Sequence, residues 1–339
     1  MFIAGDCMKV GKVSESVLKR TILKQITSNR EEVLIGAGIG VDCAVLAFKE
    51  DELMVMSTDP ITGTTKDIGV VAVHATINDV AASGAEPVGV MLSILLPVRN
   101  SEAKLKRIME QIVTTCESLR VQVIGGHTEV TAAVNQPIVT VTGVGKMNRD
   151  AIPCYENIKP GQDLVLTKWI GLEGTSIVAK EKEETLLQKY PKALVDQAKE
   201  FDQYFSIVPE AAIARKFGVI SMHDVTEGGI FGALWEVGES GDIGLSVNLK
   251  KIPVKQETIE VCEMFDLNPY SLISGGSLLI VTENGHDLVD ALESEGIQAA
   301  VIGKIMDGKD RVVINDGERR FLEPPKSDEL YKIYEASLI

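Results

Sequence analysis

A helix, an extended strand and a glycine–lysine ending follow one another twice in this chain, and that recurrence narrows the possible folds more than any single motif. The first instance runs from CESLRVQVIGG through VTVTGVGKM, to Met147, and the second is LVDALESEGIQAAVIGKIM, to Met306. Each half also carries a helix of small residues ahead of an extended strand. At 339 residues the chain exceeds the size at which one hydrophobic core usually stops growing, so the repeated grammar predicts two domains. Alternating strand and helix patterns place both in the layered α/β (α+β) class. The Pro-Gly turn in NIKPGQD, residues 157–163, marks the join and predicts domains 1–156 and 157–339.

Local patterns fill in the first half. Residues 14–28 read as an amphipathic helix with Ser14 as its N-cap and Val17, Leu18, Ile22 and Ile26 on one face. The glycine-rich turn GAGIG, 36–40, precedes a strand at 43–48, and a further strand at 53–57 is expected to stop at Thr58-Asp59-Pro60. A helix over 68–83 closes on Gly84, and strands at 88–96, 121–124 and 138–145 surround a long helix over 102–119.

The composition is that of a globular protein, with 45% hydrophobic and 24% charged residues. A formal net charge of −15 repels nucleic acid and anionic membrane, so neither is an expected partner. A nucleotide stays possible, because a local metal ion reverses the field where phosphates sit. No apolar run reaches the roughly 18 residues of a membrane span, and Met1 to Val10 lacks the pattern of a signal peptide. Cys7, Cys43, Cys116, Cys154 and Cys262 are scattered without C-x-x-C spacing, which suits a reducing cytoplasm and argues against zinc or a disulfide framework.

Polar residues stand in four segments where packing alone would not place them: GAGIGVDCAV, STDPITG, TINDVAASGAEP and IGGHTEV. Asp79, beside Asn78 in a helix rich in Ala and Val, must be solvated, paired or metal-bound. Asp42 and Asp59, after a glycine-rich turn and at a strand end, are either turn formers or ligands. Were the three to converge, carboxylates at about 4 Å in a partly screened site would repel by roughly 4 kcal/mol, and a cation would relieve this. All-oxygen ligands favour Mg²⁺ or Ca²⁺ over zinc. The loop around Gly38 and Gly40 fits neither the dinucleotide fingerprint nor a P-loop, but it lets backbone amides approach phosphate.

GGHTEV combines glycines with a hydroxyl, an imidazole and a carboxylate, and reads either as a tight turn or as a ligand loop. HDVTEGG leads into a helix over 230–239, with glycines before its start and a Thr to cap it, which makes a candidate anion site. Ser274-Gly275-Gly276 marks a bulge or a close backbone approach.

In this order and spacing, GIGVDCAV, STDPITG, DIGVVAVHATINDVAASGAEP, GGHTEV, HDVTEGG and SGGSLLIV resemble one family over most of the chain. It is the family of aminoimidazole ribonucleotide synthetase (PurM), thiamine monophosphate kinase, selenophosphate synthetase and the hydrogenase maturation factor HypE. The resemblance implies a two-domain PurM-like fold, with N-terminal sheets pairing into a barrel across a homodimer and a C-terminal α/β sandwich. It further implies ATP bound in the N-terminal domain, with Asp42, Asp59 and Asp79 as Mg²⁺ and phosphate ligands. Gly38, Gly40, Asn78, Gly125, Gly126 and Thr128 would contact the nucleotide. His223, Asp224 and Glu227 would be catalytic, with His127 and Glu129 also facing the acceptor; His223 or Glu227 would be the general base, or else a capping or pairing residue.

DIGVVAVHATINDVAASGA and HDVTEGGI look most similar to HypE. It dehydrates a carboxamide on its own C-terminal cysteine, whereas this chain ends YEASLI, its last cysteine is Cys262, and Val70 stands where HypE sequences tend to have Lys. Cys7 is the only counterpart of the reactive cysteine of selenophosphate synthetase, and reads as an ordinary cysteine. The expectation is an ATP-dependent, Mg²⁺-dependent HypE-like enzyme that phosphorylates or dehydrates a small acceptor. The alternatives are a small-molecule kinase, or a non-catalytic assembly factor acting on a maturation partner protein.

Overall fold

Val88, Val90, Leu92, Ile94 and Leu96 alternate along Glu86–Pro97 and are buried on one side, which makes this 12-residue strand the spine of a sheet. The computed structural model describes residues 8–62, 64, 66–152 and 155–335. Backbone contacts divide the chain into two units, Met1–Ala81 with Ala85–Ala151, and Ala82–Gly84 with Ile152–Ile339.

Unit 1 contains β1 (Gly11–Lys12), α1 (Glu15–Thr21), β2 (Val33–Ile35), β3 (Val45–Leu46), β4 (Glu52–Ile61), α2 (Ile68–Ala82), β5 (Glu86–Pro97), α3 (Glu102–Ser118), β6 (Gln122–Thr131) and β7 (Ile138–Asn148). Five strands form one sheet in the order β1-β6-β5-β7-β4, and β2 pairs with β3 separately. β5 runs parallel to β6 and antiparallel to β7. Ser101 caps α3 by accepting from the Lys104 N–H, and Leu105, Ile108, Met109, Ile112 and Cys116 form its buried stripe. α2 lies close on β7 because Gly143 and Gly145 have no side chains; a Cβ there would sit 2.9 Å from Thr76 and 2.4 Å from Val80.

Unit 2 contains β8 (Asp163–Thr167), α4 (Leu172–Glu181), α5 (Glu183–Leu186), α6 (Lys192–Lys199), α7 (Val208–Phe217), β9 (Ser221–Asp224), α8 (Gly229–Ser240), β10 (Gly244–Asn248), α9 (Gln256–Phe265), β11 (Leu278–Thr282), α10 (Gly285–Ser294), β12 (Ala299–Met306), β13 (Arg311–Asn315), β14 (Glu318–Phe321) and α11 (Tyr331–Glu335). Its sheet has the order β14-β13-β10-β12-β8-β11-β9, with only β10 and β13 parallel. β8 and β11 are buried along their whole length, and their Leu164, Leu166, Leu279 and Val281 pack with Ile230, Leu234 and Val237 of α8. Among the described residues no helix is long and apolar enough to cross a membrane.

Three local expectations are corrected. The helix over 14–28 is the shorter α1, and although Ser14 occupies the N-cap, its side chain makes no cap hydrogen bond. The Thr21 hydroxyl bonds instead to the Val17 carbonyl, and a 3₁₀ turn, Leu23–Gln25, follows. Thr58-Asp59-Pro60 does not end a strand, because β4 runs on to Ile61 and Pro60 pairs with Thr140. β4 is an edge strand, where a residue lacking an N–H is tolerated. GGHTEV is likewise neither a turn nor a strand end; it lies inside β6, between β1 and β5.

Cys262 is buried on α9, where burial pushes its thiol up to about 12, so it is a packing residue. Cys7, Cys154 and Gly63 of STDPITG lie outside the described residues.

Candidate functional site

Unit 1 carries a cleft of about 510 Å³, which is the size of small-ligand sites, and it is bordered by Gly38, Asp42, Gly125, Gly126, His127 and Thr128. Strand pairing identifies the face it occupies. Ser93 pairs with His127 on one side and with Thr140 on the other, so the three form a row across β6, β5 and β7. All three border the cleft, as does Thr142. Asp59 pairs with Val141, one residue out of phase with this row, and therefore faces α2.

The same alternation sorts the sequence candidates. Gly125 and His127 share the cleft face. Thr128 contributes backbone there, but its side chain is out of phase with His127 and buried, so the hydroxyls offered to a ligand are those of Ser93, Thr140 and Thr142. Gly126 has φ +146°, and a Cβ on it would lie 2.1 Å from the Leu92 carbonyl oxygen, so no other residue fits. Gly40 is exposed and does not border this cleft, and Asn78 is buried within α2. The imidazole of His127 lies with Nε2 3.1 Å from Glu129 Oε2, and Lys12 on β1 lies across from Glu129.

Asp59 and Asp79 both lie where β4 packs on α2. Thr76 Oγ1 of α2 donates to Asp59 at 3.1 Å, and Ser57 Oγ of β4 donates to Asp79 at 2.5 Å, a reciprocal exchange across the strand and the helix. Asp42 is not with them; it is exposed at the cleft on the other face of the sheet. Among the described residues no three His, Cys, Asp or Glu side chains gather to hold a metal ion. The expected three-aspartate cluster is thus reduced to the pair Asp59 and Asp79. Two carboxylates with neighbouring hydroxyls are a hard, all-oxygen set of the kind Mg²⁺ uses when phosphate oxygens and water complete its shell.

In unit 2 the candidates part company. His223 and Asp224 are consecutive on β9 and point to opposite sides. His223 Nε2 lies 2.8 Å from Glu236 Oε2 of α8. Asp224 is buried beside Glu173 of α4, and Glu173 is in turn close to Asp328. Burial first, then the charges of Asp328 and Asp224, push the Glu173 carboxyl up to about 8, against the opposing hydrogen bond from the Gly275 N–H. Glu227 is exposed next to Tyr331, whose phenol is raised by burial and then by that carboxylate.

The helix after HDVTEGG is not capped by Thr226. Its N-cap is Gly228, at φ 82°, and the Gly228 N–H donates to Asp328 Oδ2 at 2.7 Å. The anion expected at this helix start is a carboxylate of the chain itself. The Gly275-Gly276 approach is as expected, since a Cβ on Gly275 would strike Glu173 at 2.0 Å and one on Gly276 the Tyr204 carbonyl at 2.4 Å. Glu173 and Asp328 had no sequence signal. An acid in the first turn of a helix is ordinary, and Asp328 is 100 residues from the N–H it caps.

Comparisons with known proteins fit this geometry. The AIR synthase related protein family matches in two parts, its N-terminal domain over residues 40–147 and its C-terminal domain over 159–315. A protein of Methanocaldococcus jannaschii described as a hydrogenase expression/formation protein is 26% identical over 336 residues, covering 95% of this chain and 97% of its own. A carbamoyl dehydratase HypE of Cupriavidus necator is 28% identical over 297 residues, 84% of this chain and 79% of its own.

Solved structures share the fold. HypE in complex with ATP has a TM-score of 0.78 at 20% identity, over 95% of this chain and 98% of that one. HypE in a HypE–HypF complex gives 0.70 at 21%, over 80% and 90%. Thiamine-monophosphate kinase from Stenotrophomonas maltophilia K279a gives 0.73 at 20%, over 92% and 100%. With both halves matched by the family's two domains and the two-domain PurM-like fold in place, this chain belongs to the AIR synthase related protein family.

Proposed function

We propose that this chain binds ATP in the unit 1 cleft and uses it to activate a small acceptor, by phosphorylation or by ATP-dependent dehydration. The observation that carries this reading is the cleft itself, where Gly38, Gly125 and Gly126 leave backbone open to phosphate beside the hydroxyls of Ser93, Thr140 and Thr142. The carbamoyl dehydratase HypE relative and the ATP-bound HypE neighbour support it. Of the three aspartates only Asp42 borders this cleft, and it would hold Mg²⁺ against the phosphates there; Asp59 and Asp79 lie on the other face of the sheet, against α2. In unit 2, His223 is engaged with Glu236 and would support β9, and Asp224, buried beside Glu173, would support the start of α8.

A homodimer belongs to this reading. β4 is an open edge whose Met54 and Met56 are exposed, and a second copy would cover it. Free thiols at Cys43, Cys116 and Cys262 suit the cytoplasm. The thiamine-monophosphate kinase neighbour keeps a small-molecule kinase as the second reading. The HypE–HypF complex keeps a maturation partner protein, and with it a non-catalytic assembly factor, as the third.

Calorimetric titration with ATP, with and without Mg²⁺, followed by ADP analysis, tests the proposal. Binding should require Mg²⁺ and weaken at least about tenfold in Asp42→Asn with the fold intact, and ADP separates an enzyme from a scaffold. Failure to bind under either condition would end the nucleotide reading.

A further inference from the structure

The cleft of unit 1 contains a hydrogen-bonded imidazole–carboxylate pair to which the proposed function above gives no chemical role. His127 and Glu129 are two residues apart on β6 and so project from the same face, and their side chains are 48% and 35% exposed. His127 borders the cleft in the row with Ser93 and Thr140. Its Nε2 is 3.1 Å from Glu129 Oε2. An ionised carboxylate only accepts hydrogen bonds, so Nε2 carries the proton and Nδ1 keeps the lone pair. The strand fixes the pair rigidly, since β6 is held by β1 on one side and β5 on the other. A histidine whose tautomer is set by a carboxylate, beside a cavity able to hold a small ligand, is arranged to take a proton from that ligand.

We propose that His127 is the general base of the reaction in the unit 1 cleft, with Glu129 as its positioning residue, and that the acceptor is a neutral hydroxyl or carboxamide compound. This rests on the ATP reading of the same cleft. As the acceptor oxygen forms its bond to the γ-phosphorus, the bond from that phosphorus to the β,γ-bridging oxygen breaks and ADP leaves with the electron pair. The proton lost by the acceptor moves to Nδ1 of His127 and from there to solvent. An acceptor already ionised, such as a phosphate monoester, has no need of this base. The inference thus selects within the proposed function: an alcohol or a primary amide, rather than a phosphorylated metabolite.

The test compares the full-length protein with His127→Gln, Glu129→Gln, Glu129→Ala and, as a control away from the cleft, His286→Gln. Calorimetry gives the Kd for Mg·ATP, and ADP formation with water as the neutral acceptor gives kcat and KM across pH. The groups near His127 that titrate or carry charge are Glu129 on β6, Lys12 on β1, and Asp42 and Cys43 at the cleft, so the profile is assigned by which variant removes a limb. Expected are a fall in kcat of about 100-fold or more in His127→Gln, with Kd and KM within about twofold and the acidic limb of the profile lost. Glu129→Gln, which can still accept from Nε2, should lose less than Glu129→Ala, a graded rescue that loss of packing would not give.

Where water turnover is below detection, the ¹⁵N resonances of His127, assigned by their absence in His127→Gln, serve instead. They should show the Nε2–H tautomer and shift on addition of a non-hydrolysable ATP analogue. Unchanged kcat in His127→Gln, or a His127 tautomer protonated at Nδ1, or a resonance indifferent to the analogue, overturns the assignment while ATP binding stands. Wild-type protein that does not bind ATP removes the nucleotide reading, and the base with it.

Discussion

GGHTEV in unit 1 and HDVTEGG in unit 2 are assembled from nearly the same residue types, and the structure treats them in opposite ways. In unit 1 the segment runs through the middle of β6, and its His and Glu stand half in solvent beside a cleft. In unit 2 the strand ends at Asp224, the glycine pair starts α8, and the N–H exposed at the helix start is taken by Asp328. The first arrangement leaves its polar groups for a ligand. The second hands its helix-start N–H to a buried carboxylate of the chain itself and leaves Glu227 at the surface. Composition alone therefore does not distinguish a ligand site from an internal cap; what surrounds the segment in three dimensions does.

The largest effect that would sharpen this contrast is at Gly126. An alanine there places its Cβ 2.1 Å from the Leu92 carbonyl oxygen, a backbone atom that cannot swing aside, and φ +146° is unfavourable for any side chain. Gly126→Ala should destabilise unit 1 by at least about 3 kcal/mol and sharply lower the yield of folded protein. Gly125→Ala meets nothing nearer than the end of Met91 at 3.5 Å, so it should fold while crowding the cleft and weakening ATP. Thermal melts of the two variants decide it. If both melt like the wild type, β6 is not pressed against β5 as described.

The next effect is at the helix start in unit 2. Asp328→Ala leaves the N–H of Gly228 and that of Leu330 without the carboxylate that now accepts from both, at 2.7 and 2.8 Å. A cap loss of about 1–2 kcal/mol is expected. Added sulfate should restore part of the melting temperature, because a helix start stripped of its internal anion regains affinity for an external one. An equal response to sulfate in wild type and variant would show that Asp328 does not occupy that position.

The strands and helices of both units were legible because hydrophobic periodicity is local, and α3 shows this with its Leu105, Ile108 and Ile112 stripe. Strand limits were not, because they depend on neighbours. Pro60 reads as a stop until β4 is known to be an edge, and two glycines read as a turn until β5 is seen passing over Gly126. The candidate site divides in the same way. Asp42, Asp59 and Asp79 were read together as one possible cluster; Asp59 and Asp79 share the β4–α2 contact, whereas Asp42, on the opposite face, could be separated from them only by the phase of β4 against β7. Glu173 is invisible to any local rule, since its burial is made by Gly275 and by two acids from distant segments.

A further effect tests that buried acid directly, through pH. Glu173 has its carboxyl pushed up to about 8 in the folded protein, by burial first and by Asp328 and Asp224 next, against an ordinary value of 4.5. The folded state therefore holds a proton that the unfolded state releases across that interval. Its contribution to stability is fully present below about 4.5 and is lost as pH rises toward 8, with a limiting slope of about 1.4 kcal/mol per pH unit for one proton. Glu173→Gln is neutral at every pH, and its oxygen can still accept from the Gly275 N–H. Chemical denaturation at a series of pH values should show the wild type weakening from pH 5 to 8 relative to this variant, by at least about 1 kcal/mol at the upper end. Glu129→Gln, the matching change in the solvated pair of unit 1, should shift stability by less than about 0.5 kcal/mol over the same range. If Glu129→Gln changed the pH dependence more than Glu173→Gln did, the exposed pair would be the strained one, and the division into an open polar site and a buried polar cap would be reversed.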